Sequence, residues 1–365
     1  MSDLSAHLKQ LIRNDGPISV AEFMRIVLTG RADSYYMRGE AFGAAGDFVT
    51  SPEISQIFGE LIGVWCVDVW QKLGAPKRFS LVELGAGRGA MMKDALRAAQ
   101  VAPGFLSAAS VLMIETSRVL RRLQEDALHA APVSSVHWLD RFDDLDVAHG
   151  PIILLANEFF DALPIRQFVR GERGWSERAV GLSREDSLAL GAAPGAIDAS
   201  LIPANLRTAP IGSVFELAPA RSVLASAIGE RLAYSHGVAL VIDYGFTGPA
   251  VGDTLQAVKK HAYVDLLAEP GLADVTTHVD FTALADGFRD GGAQVARLVE
   301  QGDFLNGLGA AERVAALKRA ASERQAEQLD AAYNRLTRRD AMGSLFKVQC
   351  AHSPASLQPA GFSNA

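Results

Sequence analysis

The amino-acid sequence predicts an α/β fold built on a parallel sheet, and three observations carry that expectation. Short apolar runs recur at 81–84, 111–114, 151–156 and 237–242, the composition of strands buried on both faces of a sheet. Each run ends on residues with chemistry to offer, and the segments between the early runs carry apolar residues at helical spacing, so strand, turn and helix alternate. That rhythm breaks between 165 and 235, which reads as an insertion. The expected organisation is a helical segment over 1–75, a core over 76–164 and 236–350, and an inserted lobe over 165–235.

Bulk properties bound the rest. A chain of 365 residues with 49% hydrophobic and 21% charged residues can bury a large core. Its net charge of −7 lacks the basic excess that a dedicated nucleic-acid binder needs to neutralise phosphates. Cys66 and Cys350 lie in apolar surroundings without a C-x-x-C pair and are expected to be buried thiols. The first eight residues show neither a basic-then-apolar signal nor an Arg-rich transit helix, and no apolar stretch approaches the ~20 residues of a membrane span. A cytoplasmic location with no membrane span is expected on that basis.

Taken in order, residues 4–13 have amphipathic spacing, and Gly16-Pro17 stops that helix. Ser19, with Glu22 three residues on, starts another that carries Phe23, Met24, Ile26, Val27 and Leu28. An irregular stretch over 43–53 holds Asp47, Thr50 and Ser51 and ends at a Ser-Pro-Glu helix start, a loop suited to lining a ligand site. Residues 54–70 form an apolar helix with Gly59 and Gly63, expected to pack along the sheet.

The chain then enters its central turn, Leu81-Val82-Glu83-Leu84-Gly85-Ala86-Gly87-Arg88-Gly89-Ala90. Glycines let the backbone approach a ligand and turn its free N–H groups toward it. Gly85, Gly87 and Ala90 also satisfy the dinucleotide pattern G-x-G-x-x-A, so the turn by itself fits a nicotinamide cofactor as well as S-adenosylmethionine. Glu83 tilts the balance, because a carboxylate at the strand tip repels a diphosphate and suits a ligand with hydroxyls and positive charge. Glu115, closing the next strand, is placed to accept ribose hydroxyls. A helix over 118–129 and a strand over 136–139 follow, with Trp138 or Asp140 beside the adenine.

The run at 151–156 delivers Asn157, Glu158 and Asp161 between Phe159 and Phe160. Acids in an apolar frame are costly unless paired, so a cationic or hydrogen-bonding substrate group is the natural partner; a helix cap at Asp161 is the ordinary alternative. The inserted stretch is expected to form strands in a lid or substrate lobe, whose apolar patches suit a client groove or a homodimer. Asp243 ends the strand at 237–245, and His261, Asp274, His278 and Asp280 follow at a spacing that matches no metal pattern, so no metal is expected. A charged helix over 311–336 and a strand over 342–350 close the chain.

Several motifs together resemble the MidA family of class I methyltransferases: GDFVTSPEIS at 46–55, VELGAGRG at 82–89, NEFFDALP at 157–164, IDYG at 242–245, HVDF at 278–281 and GSLFKV at 343–348. The resemblance covers nearly the whole chain in order. Ala86 stands where the family often has proline. The resemblance implies a Rossmann-like sheet of seven strands whose last is antiparallel, S-adenosylmethionine as methyl donor, and a protein arginine as acceptor, as in the family's mitochondrial member that assists respiratory complex I assembly. Glu158, Asp161 and Asn157 are then the expected catalytic residues. Glu83, Gly85, Gly87, Glu115, Thr50, Ser51, Asp47 and Asp140 are the expected cofactor-binding set. A nicotinamide oxidoreductase, or a non-catalytic complex I assembly factor on the same fold, are the alternatives.

Overall fold

The computed structural model describes residues 3–38, 50–146, 150–195 and 197–362. The chain divides into two compact units, one from residues within 1–48, 161–224 and 247–284, the other from 49–160, 225–246 and 285–365.

The second unit holds the parallel sheet. Along the main path of this nine-stranded sheet run β1 (Phe79–Leu84), β2 (Ala109–Ile114), β3 (Ser135–Leu139), β4 (Ile152–Asn157), β5 (Gly237–Phe246), β6 (Gln294–Val295) and β7 (Phe346–Ser353), and Val299–Glu300 pairs with β7 beside it. Their spatial order is β3-β2-β1-β4-β5-β7-β6. The first five run parallel, and β7 lies antiparallel to β5 with Asp243 opposite Lys347. β1 and β4 are buried along their whole length, which is why their sequences read as apolar runs, interrupted in β1 only by Ser80 and Glu83. The chain leaves β1 toward β2 on one side and returns to β4 on the other. Such a switch point opens a crevice beyond the carboxyl ends of the strands. Register places Leu84 beside both Ile114 and Ala156, so the glycine turn and the Asn157 loop emerge side by side.

Two expectations are refined here. The helix Gln56–Lys72 shares one core with the sheet, as Ile57, Phe58, Ile62 and Trp65 pack with Leu81 and Ile153, but its Gly59 and Gly63 face the helix Ala90–Ala98: a Cβ at Gly63 would lie 2.3 Å from the Ala95 carbonyl oxygen. The C-terminal helix is also two, Ala310–Lys318 and Glu323–Thr337, because Ser322 and Gln325 form a reciprocal capping box that restarts the helix. Cys66 and Cys350 are both buried free thiols, and burial pushes both thiols up.

The first unit joins the helices Asp3–Asp15 and Val20–Leu28 to two small antiparallel sheets. Ser19 caps the second helix by accepting from the Glu22 N–H at 3.1 Å, while the Glu22 carboxylate turns to Arg25 instead of closing the box. The larger sheet has Arg166–Gly171 between Gly174–Leu182 and Val214–Leu217, with Leu188–Ala192 and Ile18–Ser19 on either edge of Gly174–Leu182. The strands expected in the insertion are therefore present. The smaller sheet is formed by Gln256–Lys259, Ala262–Val264 and Asp274–Thr276. Leu4, Leu8, Phe23, Met24, Val27, Ile165, Val180 and Val275 share one core, so residues beyond β5 pack with the N-terminal helices. No helix among the described residues is long and apolar enough to cross a membrane.

Candidate functional site

The glycine turn leaves β1 at a buried acid. Glu83 is 3% exposed, and its Oε2 has no hydrogen-bond partner among the described residues. Burial alone pushes its carboxyl up to about 8, since a lone charge there has lost its water. Gly85 follows with φ +61°, and its N–H bonds the Ile114 carbonyl at 3.0 Å, which ties the turn to the end of β2. A Cβ at Gly85 would stand 2.6 Å from Cδ2 of Phe159, so glycine is required both by the backbone angle and by the close ring. Gly87 continues the left-handed course at φ +53°.

Glu115 lies just past β2 and is buried, its carboxylate fixed from two sides. Oε1 accepts from the Ser117 N–H at 2.8 Å and Oε2 from Gln124 Nε2 at 3.3 Å. Burial raises this carboxyl, and those two donors pull it back down. Arg121 donates to the Glu115 carbonyl and pairs with Asp140, whose side chain is 73% exposed, so Asp140 is anchored from below and open above. Trp138 gives its indole N–H to Gln124 Oε1 at 2.9 Å, and Gln124 Nε2 also donates to the Gly87 carbonyl at 2.9 Å. Gln124 is absent from the sequence-derived set. Its signal was a lone amide between Leu120 and Leu128 on the buried stripe of the helix Arg118–Leu128.

The loop after β4 is strained. Glu158 has φ +50°, a left-handed conformation that costs a non-glycine residue on the order of 1 kcal/mol or more and persists only when its surroundings impose it. Here they do. The Glu158 N–H bonds the Ile242 carbonyl at 2.9 Å, while Glu158 Oε1 accepts from the Ser51 N–H at 2.8 Å and from Asn157 Nδ2 at 3.0 Å. Asn157 Oδ1 and Ser51 Oγ are buried without a partner among the described residues. Thr50 is the N-terminal flank of the short helix Ser51–Ile54, and Asp47 lies outside the described residues.

Asp161 opens a segment that belongs to the other unit. No helix starts there, so it caps none; the chain turns directly toward the strand Arg166–Gly171. Its carbonyl accepts from the Thr277 N–H at 3.1 Å and from Arg221 Nη2 at 3.1 Å, and Arg221 also donates to the His278 carbonyl at 2.7 Å. The sequence reading missed Arg221, whose buried guanidinium follows a loop and helix start that gave no motif.

Around β1, β2 and β4 the unit thus gathers polar atoms without partners among the described residues on Glu83, Asn157 and Ser51, a fixed carboxylate on Glu115 and a left-handed glycine turn packed against Phe159 too closely for any Cβ at Gly85. These features fit a small molecule that carries a cation and hydroxyls, as S-adenosylmethionine does, and fit a diphosphate poorly.

Known proteins agree with that chemistry. The family model described as "Putative S-adenosyl-L-methionine-dependent methyltransferase" matches residues 61–299. Two curated relatives are the "Protein arginine methyltransferase NDUFAF7, mitochondrial" of Danio rerio, 35% identical over 93% of this chain and 85% of its own length, and that of Mus musculus, 37% identical over 93% and 82%. A crystal structure of a COG1565 superfamily member from Burkholderia thailandensis bound to S-adenosyl-homocysteine superposes with a TM-score of 0.82 at 27% identity, covering 99% of this chain and 93% of that one. The relatives' names overturn the expected cytoplasmic location, since both are mitochondrial proteins. That expectation rested on the first residues of the sequence, where targeting is written in composition and not in fold.

Proposed function

This chain belongs to that S-adenosylmethionine-dependent methyltransferase family, and from that premise we propose that it methylates an arginine of a protein substrate, with a respiratory complex I subunit as the expected client. The observation that carries the proposal is Glu158: a carboxylate held in a strained backbone by bonds from Ser51 and Asn157, at the end of the strand next to the glycine turn.

When bound, S-adenosylmethionine supplies an electrophilic methyl group on a positively charged sulfur. Gly85, Gly87 and Glu83 would receive its methionyl end, Glu115 its ribose, and Thr50 and Ser51 would border it. An arginine side chain stays charged in water, with a pKa above ~12, so the protein must hold a cation and weaken its grip on one proton. A carboxylate does both, by charge-assisted hydrogen bonding to the guanidinium fork and by accepting the proton. Glu158 is assigned that role. Asn157 fixes the rotamer of Glu158 through its amide, and Asp161, three residues on, is assigned as the second acid for the fork. Most of the acceleration would come from alignment of acceptor and donor rather than from covalent catalysis.

The test is incubation of the purified protein with S-adenosylmethionine and arginine-containing peptides from candidate client proteins, read by mass spectrometry. Methyl increments on arginine support the reading. Increments confined to lysine, carboxylate or small-molecule acceptors would replace it.

A further inference from the structure

The amide of Gln124 has no role in the chemistry assigned above, yet it is fully buried with both its nitrogen and its oxygen hydrogen-bonded. It is 0% exposed and reaches three elements at once: the glycine turn through the Gly87 carbonyl, the end of β2 through Glu115, and β3 through Trp138. Its orientation is forced. A backbone carbonyl can only accept and an indole N–H can only donate, so Nε2 must face Gly87 and Oε1 must face Trp138. The second Nε2 proton is left for Glu115. Gly89 adjoins this arrangement, held as glycine by its φ of +80°; a Cβ there would lie in ordinary van der Waals contact with Gln124, 3.4 Å from its Cα.

Glu115 has about four acceptor positions on its two oxygens. Ser117 and Gln124 occupy two of them, one on each oxygen. The two bonds hold one oxygen each and so restrain the rotation of the carboxylate. The same amide sets the height of the Gly87 carbonyl, and with it the turn that borders the other end of the ligand.

We propose that Gln124 is the positioning residue of the ribose site, locking the Glu115 carboxylate and the glycine turn into one frame so that ribose hydroxyls are bound through it. The proposal rests on the assignment of Glu115 to the ribose. It makes the role of Gln124 specific: loss of the amide should weaken binding through the hydroxyls, not uniformly.

The test compares S-adenosylhomocysteine with its 2′-deoxy analogue by calorimetry on the full-length wild type, Gln124→Met and Trp138→Phe. In the wild type the missing hydroxyl should cost about tenfold or more in affinity, the range of a hydrogen bond to a charged group. Gln124→Met should bind S-adenosylhomocysteine about 10- to 100-fold more weakly, and its preference for the hydroxyl should shrink to about twofold, because contacts that share a partner are not additive. Trp138→Phe, which removes one donor to Oε1, should shift both quantities the same way by less. If Gln124→Met lowers the melting midpoint but keeps the full preference, Gln124 is a core residue only and the proposal falls. A wild type indifferent to the hydroxyl removes the Glu115 assignment itself. Should Gln124→Met lose its cooperative unfolding transition, Trp138→Phe carries the same comparison.

Discussion

The two sides of the crevice are built on opposite plans. On the β1–β2 side the groups are fixed by bonds that span at most 37 residues: Gly85 to Ile114, Glu115 to Ser117, Gln124 to Gly87 and Glu115. Apart from the orphan at Glu83, that side is relaxed. On the β4 side Glu158 sits in a left-handed backbone and depends on a donor 107 residues away in sequence, the Ser51 N–H. Under the proposed roles, a donor site that binds the same molecule every time can be locked, whereas an acceptor site must hold a cation and release a proton, and strain is commonly stored where chemistry happens. The sharpest way to break the comparison is Glu158→Gln. Loss of a general base costs typically 10²- to 10⁴-fold. Single-turnover methyl transfer should drop by at least ~10²-fold, while S-adenosylhomocysteine affinity stays within about threefold. Equal losses in both would mean that the two sides are one device.

Gly85→Ala attacks the point where the sides meet. The added methyl would stand 2.6 Å from the Phe159 ring on a backbone that disfavours side chains, so Phe159 and the Glu158 loop must shift. A stability loss of about 1–3 kcal/mol is expected from such overpacking, together with about tenfold weaker S-adenosylhomocysteine binding. Denaturant melts and calorimetry check the two.

Glu83 sharpens the comparison through pH. Its carboxyl is raised from 4.5 to about 8 in the ligand-free protein, so between those values the folded state holds a proton that the unfolded state releases. Stability from this group is therefore full below about 4.5 and lost as pH rises through 8, amounting at most to a few kcal/mol. Glu83→Gln should flatten that part of the melting profile. At pH 7 a cationic ligand should expel the proton from Glu83, which calorimetry in buffers of different ionisation heat detects as up to about one proton released, and none in Glu83→Gln.

What could be read from sequence divides along the same line. β1, β2, β4 and β5 were legible because parallel strands buried on both faces are mostly apolar runs, and Glu83, Gly85 and Glu115 because a strand end is a fixed place in a sheet. Arg221 was not, because its partners lie 56–60 residues away and are largely backbone carbonyls, which leave no trace in residue identity; Gln124 was not, because a lone amide on a helix stripe does not name the Gly87 carbonyl, Glu115 and Trp138 that it reaches. Nor could the packing of Gly59 and Gly63 be assigned to the correct surface, since small residues announce close approach without naming the neighbour. The expected cofactor-covering loop over 43–53 is only partly within the described residues, which reach Thr50 and Ser51 but not Asp47.

The smallest effect tests the long-range bond from the Ser51 N–H to the Glu158 carboxylate. Ser51 is the first residue of its short helix and is followed by Pro52, and Thr50 before it has φ −71° and ψ 159°, the extended geometry that a following proline requires. Ser51→Pro therefore removes the N–H without breaking the helix, because the first helical N–H has no partner inside the helix. It also removes the hydroxyl, which Ser51→Ala removes alone. The difference between the two variants isolates the bond to Glu158 Oε1. A net hydrogen bond is worth about 0.5–1.5 kcal/mol, so Ser51→Pro should turn over about two- to tenfold more slowly than Ser51→Ala, with equal affinity for S-adenosylhomocysteine. The same slowing should vanish in a Glu158→Gln background, where the carboxylate that the bond positions is gone. A slowing that persists there would place the effect of Ser51 on the donor side of the crevice, and the division between a locked side and a strained side would no longer hold at this residue.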